Sequence, residues 1–93
     1  MTNNLELSSS LLKSVGHPIR VKIILTLADY TEMTVTELTQ FLKIEQPVMS
    51  LHLAVLRNAN IIIVRKQGKK SMYSILDSSV LQAVQIIYHS RVN

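Results

Sequence analysis

QPVMSLHLAVLR, residues 46–57, is the segment that decides the fold of this chain. A proline in its second position suits the first turn of an α-helix, where the missing N–H needs no partner. The polar residues of the segment are Gln46, Ser50, His52 and Arg57. Helical periodicity allows two different inward faces, which are Met49/Leu53/Leu56 and Val48/Leu51/Val55. Whichever face lies in the core, the other presents apolar side chains outward, and such a surface indicates an interface.

A short helix is predicted immediately before this segment. Thr34 and Glu37 have the spacing of a capping box, in which the threonine oxygen accepts a backbone N–H and the glutamate reaches back to the start of the turn. The inward face of this helix is expected to consist of Leu38, Phe41 and Leu42. Only residues 43–46 separate it from Pro47. A short helix, a tight connection and a second helix predict a helix-turn-helix motif.

A proline also marks the start of a helix earlier in the chain. Leucine and valine residues at helical spacing predict a first helix of about ten residues, which Gly16-His17-Pro18 ends. Pro18 then suits the first position of a second helix, which is expected to end near Tyr30. Its inward stripe is predicted to be Ile19, Ile23, Ile24, Leu27 and Ala28.

After the helix-turn-helix segment, the pattern changes from helical to extended. Ile61–Val64 is β-branched throughout, and residues 71–76 include alternating polar and apolar side chains. Between them, residues 65–70 are a polar loop that contains Gly68. These features predict a β-hairpin with a charged tip. Asp77 then suits the N-cap of a fifth helix that runs nearly to the end of the chain.

The composition limits the chain to one small domain with an interface. Its 93 residues leave room for a single domain, over residues 1–93, with a mainly α fold and one β-hairpin. Hydrophobic residues make up 47% of the chain and charged residues only 17%. The mean hydropathy of +0.24 is high for a small domain with a large surface fraction. Part of the apolar surface is therefore predicted to be an interface.

The net charge of +4 is concentrated in one part of the chain. Residues 43–70 carry six basic and one acidic group, whereas residues 1–42 carry three basic and four acidic groups. Such concentration favours an anionic partner, either nucleic acid or an acidic membrane surface. A solvated basic face without a partner is the alternative interpretation.

The sequence lacks the features of cysteine-based sites, secretory signals and membrane-spanning segments. Cysteine is absent, which excludes disulfides, thiolate metal sites and cysteine nucleophiles. The first ten residues, MTNNLELSSS, have neither a basic start nor a continuous apolar run, so no secretory signal is predicted. The longest apolar run has four residues, against the roughly 20 that span a membrane. We expect a soluble cytoplasmic protein without a membrane partner.

In their order and spacing, these features resemble the ArsR/SmtB family of small winged helix-turn-helix transcriptional repressors. The resemblance covers about residues 10–91 and implies the order helix, helix, helix-turn-helix, β-hairpin, helix. The motifs that carry it are Gly16-His17-Pro18-Ile19-Arg20, Glu37-Leu38, the pattern Gln46…Ser50-Leu51-His52-Leu53…Leu56-Arg57, and Gly68 in the basic loop.

The resemblance implies that the fourth helix enters the major groove of DNA, with Met49, Leu53 and Leu56 inward. The implied DNA-binding residues of this helix are Gln46, Pro47, Val48, Ser50, Leu51, Ala54 and Arg57. Those of the hairpin, or wing, are Arg65, Lys66, Lys69 and Lys70. Alternatively, Val48 and Leu51 pack against the second helix or the hairpin. His52 is expected to be partly buried and bonded to backbone, in preference to a direct DNA contact.

Family members are typically homodimers that bind pseudo-palindromic operators and repress transcription. The resemblance therefore implies a dimer through the first and last helices. The implied interface residues are Leu5, Leu11, Leu12, Val15, Val80, Leu81, Val84, Ile87 and Tyr88. The alternative is that these stripes only cover the core of a monomer.

The metal-site signatures of the family are mostly missing. Thr34 and Thr36 stand where a Cys-x-Cys site precedes Glu-Leu, and hydroxyls are poor ligands for soft metals. The closing-helix site keeps Asp77, but Ser79 replaces its first histidine. His89 lies twelve residues beyond Asp77, about 18 Å along a helix, so the two cannot share a metal within one chain. A metal site shared across a dimer interface is the alternative. We predict no metal and no cofactor, and the effector is left open.

Other functions remain as alternatives. Enzymatic activity is disfavoured, because two glycines cannot form a phosphate-binding loop and the three histidines have no acid or nucleophile nearby in sequence. The first rival is a winged-helix protein-interaction module, whose apolar fourth helix docks a protein partner. The second is RNA or general nucleic-acid binding without preference for an operator.

Overall fold

The computed structural model describes residues 3–91, which contain five α-helices and a two-stranded antiparallel sheet in the predicted order. The ends of the predicted 1–93 domain therefore lie outside the described residues. The elements are α1 (Asn4–Val15), α2 (Pro18–Tyr30), α3 (Val35–Leu42), α4 (Gln46–Asn58), β1 (Ile62–Gln67), β2 (Lys70–Ile75) and α5 (Ser78–Arg91).

The helix starts follow from side chains that accept the free N–H groups of the first turn. Thr34 and Glu37 form the predicted capping box, with bonds of 3.1 and 2.8 Å. Asp77 caps α5 as predicted, and one of its carboxylate oxygens accepts the Ser79 hydroxyl at 2.6 Å and the Val80 N–H at 3.1 Å. These hydrogen bonds hold the pKa of Asp77 below its usual value, and the bond from the Ser79 hydroxyl has the largest effect.

The core lies between α2, α3, α4, the hairpin and the inner side of α5. The predicted stripe of α2 is confirmed for Ile23, Ile24 and Leu27, which are fully buried. The other two predicted residues, Ile19 and Ala28, are half-buried. Of the two faces that periodicity allowed for α4, the structure buries Met49, Leu53 and Leu56, which is the register that the family resemblance favoured. Other buried core residues are Met33, Leu38, Ile61, Ile62 and Val84.

Phe41 is not part of the core, and the predicted inward position of this residue is wrong. Its side chain is 52% exposed, whereas Leu38 on the same helix is fully buried. The Phe41 ring instead packs edge-on against the ring of Tyr30, with centroids 5.1 Å apart. The eight-residue helix α3 buries only a narrow apolar stripe, so Phe41 lies on its outer side.

The β-hairpin is longer than predicted, and its loop is shorter. The predicted polar loop of residues 65–70 is mostly strand, with Arg65 and Lys66 in β1 and Gln67 paired with Lys70. The turn consists of Gly68 and Lys69 alone. Gly68 has a φ of 63°, which matches the first central residue of a type II′ hairpin turn.

Thr31 joins α2 to the segment that leads into α3 in an unfavourable backbone conformation. Its φ is 70° and its ψ −59°, a region that β-branched residues rarely occupy. The Glu32 N–H donates to the Tyr30 carbonyl at 2.8 Å across it, which closes a γ-turn. The turn brings Met33 alongside Tyr73 of β2, where the two residues exchange backbone hydrogen bonds of 3.0 and 2.8 Å.

The first and last helices leave apolar surface uncovered in the single chain. The exposed large apolar residues on α1 and α5 are Leu5, Leu7, Leu12, Ile86, Ile87 and Tyr88. An apolar groove between the two helices is lined by Leu11, Leu12, Val15, Val80, Ala83, Val84 and Ile87.

Over residues 3–91, no helix has the length and hydropathy needed to span a bilayer.

Candidate nucleic-acid interface

The outward face of α4 carries most of the residues that the sequence proposed for DNA recognition. Gln46, Pro47, Ser50 and Arg57 are all exposed, and Ala54 is half-buried. Val48 is 40% exposed and Leu51 63% exposed. The exposure of Leu51 contradicts the alternative interpretation, packing against α2 or the hairpin, for that residue.

The turn between α3 and α4 is set by backbone geometry. Lys43 adopts the left-handed conformation, with φ 57° and ψ 48°, and ends α3. The following Ile44 N–H donates to the Thr39 carbonyl at 3.1 Å, which closes the end of α3. Glu45 is the N-cap of α4 but makes no side-chain capping bond. This short connection holds α4 beside α3 as a helix-turn-helix unit.

The basic side chains of the hairpin differ in their surroundings. Lys66, Lys69 and Lys70 are exposed at its tip. Arg65 forms an ion pair with Glu32, whose two carboxylate oxygens lie 2.9 Å from the Arg65 Nη2 atom. The hydrogen bond to Glu32, and then its charge, raise the pKa of Arg65. In the free protein, Arg65 is therefore partly neutralised, whereas the lysines face solvent.

A surface cleft separates the hairpin tip from the start of α3. One wall consists of residues 34–37, including the exposed Thr36, and the other of Lys69, Lys70 and Ser71. The lysine wall carries positive charge, whereas the other wall carries the Glu37 carboxylate, which accepts the Thr34 N–H of the capping box. The cleft therefore has charges of both signs, and the positive ones belong to the hairpin.

On the inner side of α4, His52 lies against Arg20 of α2 and against His17, the N-cap of α2. It is 6% exposed, and its Nδ1 atom accepts the Nε–H of Arg20 at 3.1 Å. The predicted burial of His52 is confirmed, but the predicted bond to backbone is wrong, because a side-chain donor from α2 reaches it first. Burial, followed by the nearby His17 and Arg20, lowers the pKa of His52.

Sequence reasoning did not find the partners of His52 and Arg65. Arg20 and His52 are 32 residues apart, and Glu32 and Arg65 are 33 residues apart. Helical periodicity relates only neighbours within a helix, so neither pair could be read from spacing. The useful signal was the position of His52 beside Met49 and Leu53 on the inward side of α4, which called for a buried hydrogen-bond partner.

The residues that the family pattern associates with metal sites are engaged or dispersed. Thr34 and Asp77 cap helices. His89 is exposed at the far end of α5. Between residues 3 and 91, no three histidine or carboxylate side chains come together as metal ligands.

Comparison with known proteins identifies the family. The family model described as "Bacterial regulatory protein, arsR family" matches residues 17–64. The biofilm growth-associated repressor of Xylella fastidiosa is 35% identical over 80 residues, which are 86% of this chain and 69% of that protein. The transcriptional repressor PagR of Bacillus anthracis is 32% identical over 90% of this chain and 84% of that protein.

Solved structures agree with the fold. HlyU from Vibrio cholerae superposes with a TM-score of 0.87 at 27% identity, and the match covers 98% of each chain. The transcriptional repressor BigR from Xylella fastidiosa gives a TM-score of 0.85 at 32% identity, over 92% of this chain and 87% of that one. With its winged helix-turn-helix fold, the chain is a DNA-binding transcriptional regulator that belongs to the ArsR family.

Proposed function

We propose that this regulator is a homodimeric repressor that binds an inverted-repeat operator in the cytoplasm. The observation that carries the proposal is the outward face of α4, which combines exposed polar and apolar side chains and lies in the same domain as a lysine-tipped hairpin. A helix of this kind enters the major groove in helix-turn-helix proteins, and dimers read two half-sites about one helical turn apart. The relatives are regulators, and we infer that this chain also lacks a catalytic role.

The side chains of α4 indicate what they recognise. The Gln46 amide suits adenine, and the Ser50 hydroxyl suits a base edge or a phosphate. Val48, Leu51 and Ala54 offer apolar contact to thymine methyl groups. Pro47 places its ring at the same end, and Arg57 adds a positive charge at the other end. We therefore propose operators rich in A·T pairs at the positions that α4 contacts.

The hairpin supplies contacts to the DNA backbone or the adjacent minor groove. Lys66, Lys69 and Lys70 provide exposed positive charge, and Arg65 joins them when DNA competes with Glu32 for its guanidinium. If a dimer engages about six phosphates, its affinity falls about 10³-fold between 50 and 200 mM salt. Such contacts hold the protein on DNA without reading its sequence.

The dimer is proposed to form through α1 and α5. Leu5, Leu12, Ile87 and Tyr88 are exposed in the single chain, and Leu11, Val15, Val80 and Leu81 line the half-buried edge of the same surface. Val84 lies deeper and packs in the monomer core. A second copy would cover apolar area that is otherwise exposed to water, at about 25 cal/mol per Å². No cysteine is present, so we propose regulation without a thiolate metal or redox site.

Selection of bound duplexes from a random pool tests the proposal. We expect an inverted repeat with A·T-rich half-sites, and sedimentation of the free protein as a dimer. A protein-interaction module would retain no duplex even at low salt, and a general nucleic-acid binder would select no sequence. Either outcome, or sedimentation as a monomer, would overturn the repressor interpretation.

Paired variants then test the division between hairpin and helix. Lys69→Gln with Lys70→Gln should weaken binding to every duplex alike and reduce the salt dependence. Gln46→Ala should change the preferred sequence. Lys13→Gln with Lys22→Gln is the matched control, because it removes the same charge from exposed positions outside α3, α4 and the hairpin. A change of preference from the hairpin pair would contradict the assigned roles.

A further inference from the structure

The guanidinium of Arg20, a residue of α2, forms hydrogen bonds to both α1 and the recognition helix α4. The Arg20 Nη1 atom donates to the Ser14 carbonyl of α1 at 2.8 Å, and its Nε atom donates to His52 of α4 at 3.1 Å. The ring of His17 lies against that of His52, with centroids 4.4 Å apart. His17 is itself fixed, because its Nδ1 atom accepts the Ile19 N–H at 3.1 Å. We call the bond between Arg20 and His52 the Arg20–His52 link.

The link requires a neutral imidazole. Since Nδ1 of His52 accepts the Arg20 N–H, its ring proton must be on Nε2. Addition of a proton to Nδ1 removes the lone pair that the guanidinium uses. It also places a second cation beside Arg20 in a buried position, where like charges repel strongly. Protonation therefore breaks the link.

We infer that Arg20, His17 and His52 are positioning residues that hold α4 for DNA binding only while His52 is neutral, so that acidification weakens DNA binding. The inference rests on the proposed DNA-binding function of α4. Its structural basis is that the link is a direct side-chain connection between the inner side of α4 and α2.

The charged groups around α4 support a proton-sensitive link. The shift in the pKa of His52 is attributed to burial and to His17 and Arg20, all of which disfavour the imidazolium. Charged side chains on the other elements that pack against α4 are engaged or exposed. Glu37 of α3 caps its own helix, and Arg65 of β1 pairs with Glu32. The remaining ones are exposed, and they are Glu6 and Lys13 of α1, Lys22 and Asp29 of α2 and Lys66 of β1.

The sign of the effect follows from linkage. The folded protein lowers the pKa of His52, so the unfolded chain binds a proton first as the pH falls below the usual value of 6.5. The stability that neutral His52 contributes is therefore complete above that pH and is lost as the pH falls through the lowered pKa. An exposed histidine beside phosphates would behave in the opposite way, because DNA favours the imidazolium and affinity would rise with acid.

The experiment compares DNA affinity at pH 7.5 and pH 5.0, at constant ionic strength, for wild type and two glutamine variants. His52→Gln keeps a carbonyl acceptor for Arg20 but cannot titrate, and His89→Gln removes an exposed histidine as the matched control. Between pH 7.5 and pH 5.0, the Kd of wild type and of His89→Gln should rise about tenfold more than the Kd of His52→Gln. An equal pH dependence in all three proteins would overturn the inference, as would tighter wild-type binding at pH 5.0.

A second arm needs no DNA and separates this inference from the proposed function. The unfolding equilibrium constant of wild type should increase more below pH 6.5 than that of His52→Gln, by up to about tenfold per pH unit for one proton. His17→Asn keeps a cap for α2 and removes the imidazole that lies against His52 and helps to lower its pKa, so it should raise the pKa of His52 in an NMR titration of the imidazole signals. Identical pH profiles of wild type and His52→Gln would refute the link even if DNA binding were established.

Discussion

Leu51 and Leu53 lie on opposite sides of α4, and their truncation separates DNA recognition from folding. Leu51 keeps 63% of its surface exposed, whereas Leu53 is 2% exposed and packs in the core. Full burial of a leucine side chain contributes about 1.5–3 kcal/mol. Folding buries only about a third of Leu51, so Leu51→Ala should lower the free energy of unfolding by less than about 1 kcal/mol. Leu53→Ala should lower it by about 2–5 kcal/mol, because it leaves a cavity.

The same two variants should have the reverse effect on DNA specificity. If the exposed part of Leu51 contacts thymine methyl groups, Leu51→Ala loses about 1 kcal/mol per half-site, which is about 30-fold in affinity for a dimer. Its preference for A·T pairs at the contacted positions should also weaken. Leu53→Ala should keep the wild-type preference at a temperature where it remains folded.

Urea unfolding and fluorescence anisotropy with labelled duplexes measure both quantities. Equal losses of unfolding free energy in Leu51→Ala and Leu53→Ala would contradict the assigned faces of α4. Unchanged affinity and unchanged base preference in Leu51→Ala would refute the apolar contact to thymine.

Three further predictions concern single positions. Thr31→Gly should relieve backbone strain of about 1–3 kcal/mol, and the greater entropy of the unfolded glycine variant should offset about 0.4–1 kcal/mol of this gain. The Tm should therefore rise by about 5 °C, and a lower Tm would contradict the strain. Glu32→Gln should free Arg65 for one more phosphate contact, so the slope of log K against log salt concentration should become steeper by about 0.9 per protomer. Weaker binding would mean that Glu32 positions Arg65. Asp77→Asn keeps an acceptor for the Ser79 hydroxyl but cannot ionise. Since the pKa of Asp77 is lowered, wild type should lose more stability than this variant in acid unfolding below about pH 4, and equal losses would exclude this contribution.

Helix starts were the most predictable part of the fold. The capping box at Thr34 and Glu37, the N-cap at Asp77 and the two prolines near helix starts each depend on residues close in sequence. Local chemistry of this kind is visible in a single chain.

The inward face of α4 was not fixed by periodicity alone. Apolar residues on nearly every side made Met49/Leu53/Leu56 and Val48/Leu51/Val55 equally good stripes, and the family register was needed to choose. The structure agrees with that choice, because Met49 is buried and Leu51 is exposed. A surface that contacts another molecule weakens the hydrophobic pattern that distinguishes core from solvent.

The hairpin was predicted in the right place with the wrong boundaries. Arg65, Lys66 and Lys70 have little preference for strands, so their charges were read as a loop. Pairing across a two-residue turn at Gly68 overrides that preference. Strand pairing is a tertiary effect, and composition underestimates it where a strand carries functional charges.

The contact of Arg20 with both α1 and α4 has a mechanical consequence. In a dimer built on α1, a ligand bound between the two copies would tilt α1, and the displacement would reach α4 through the hydrogen bonds of the Arg20 side chain. An inducer could then act without touching any residue that faces DNA, and the surfaces for signal and operator could diverge independently.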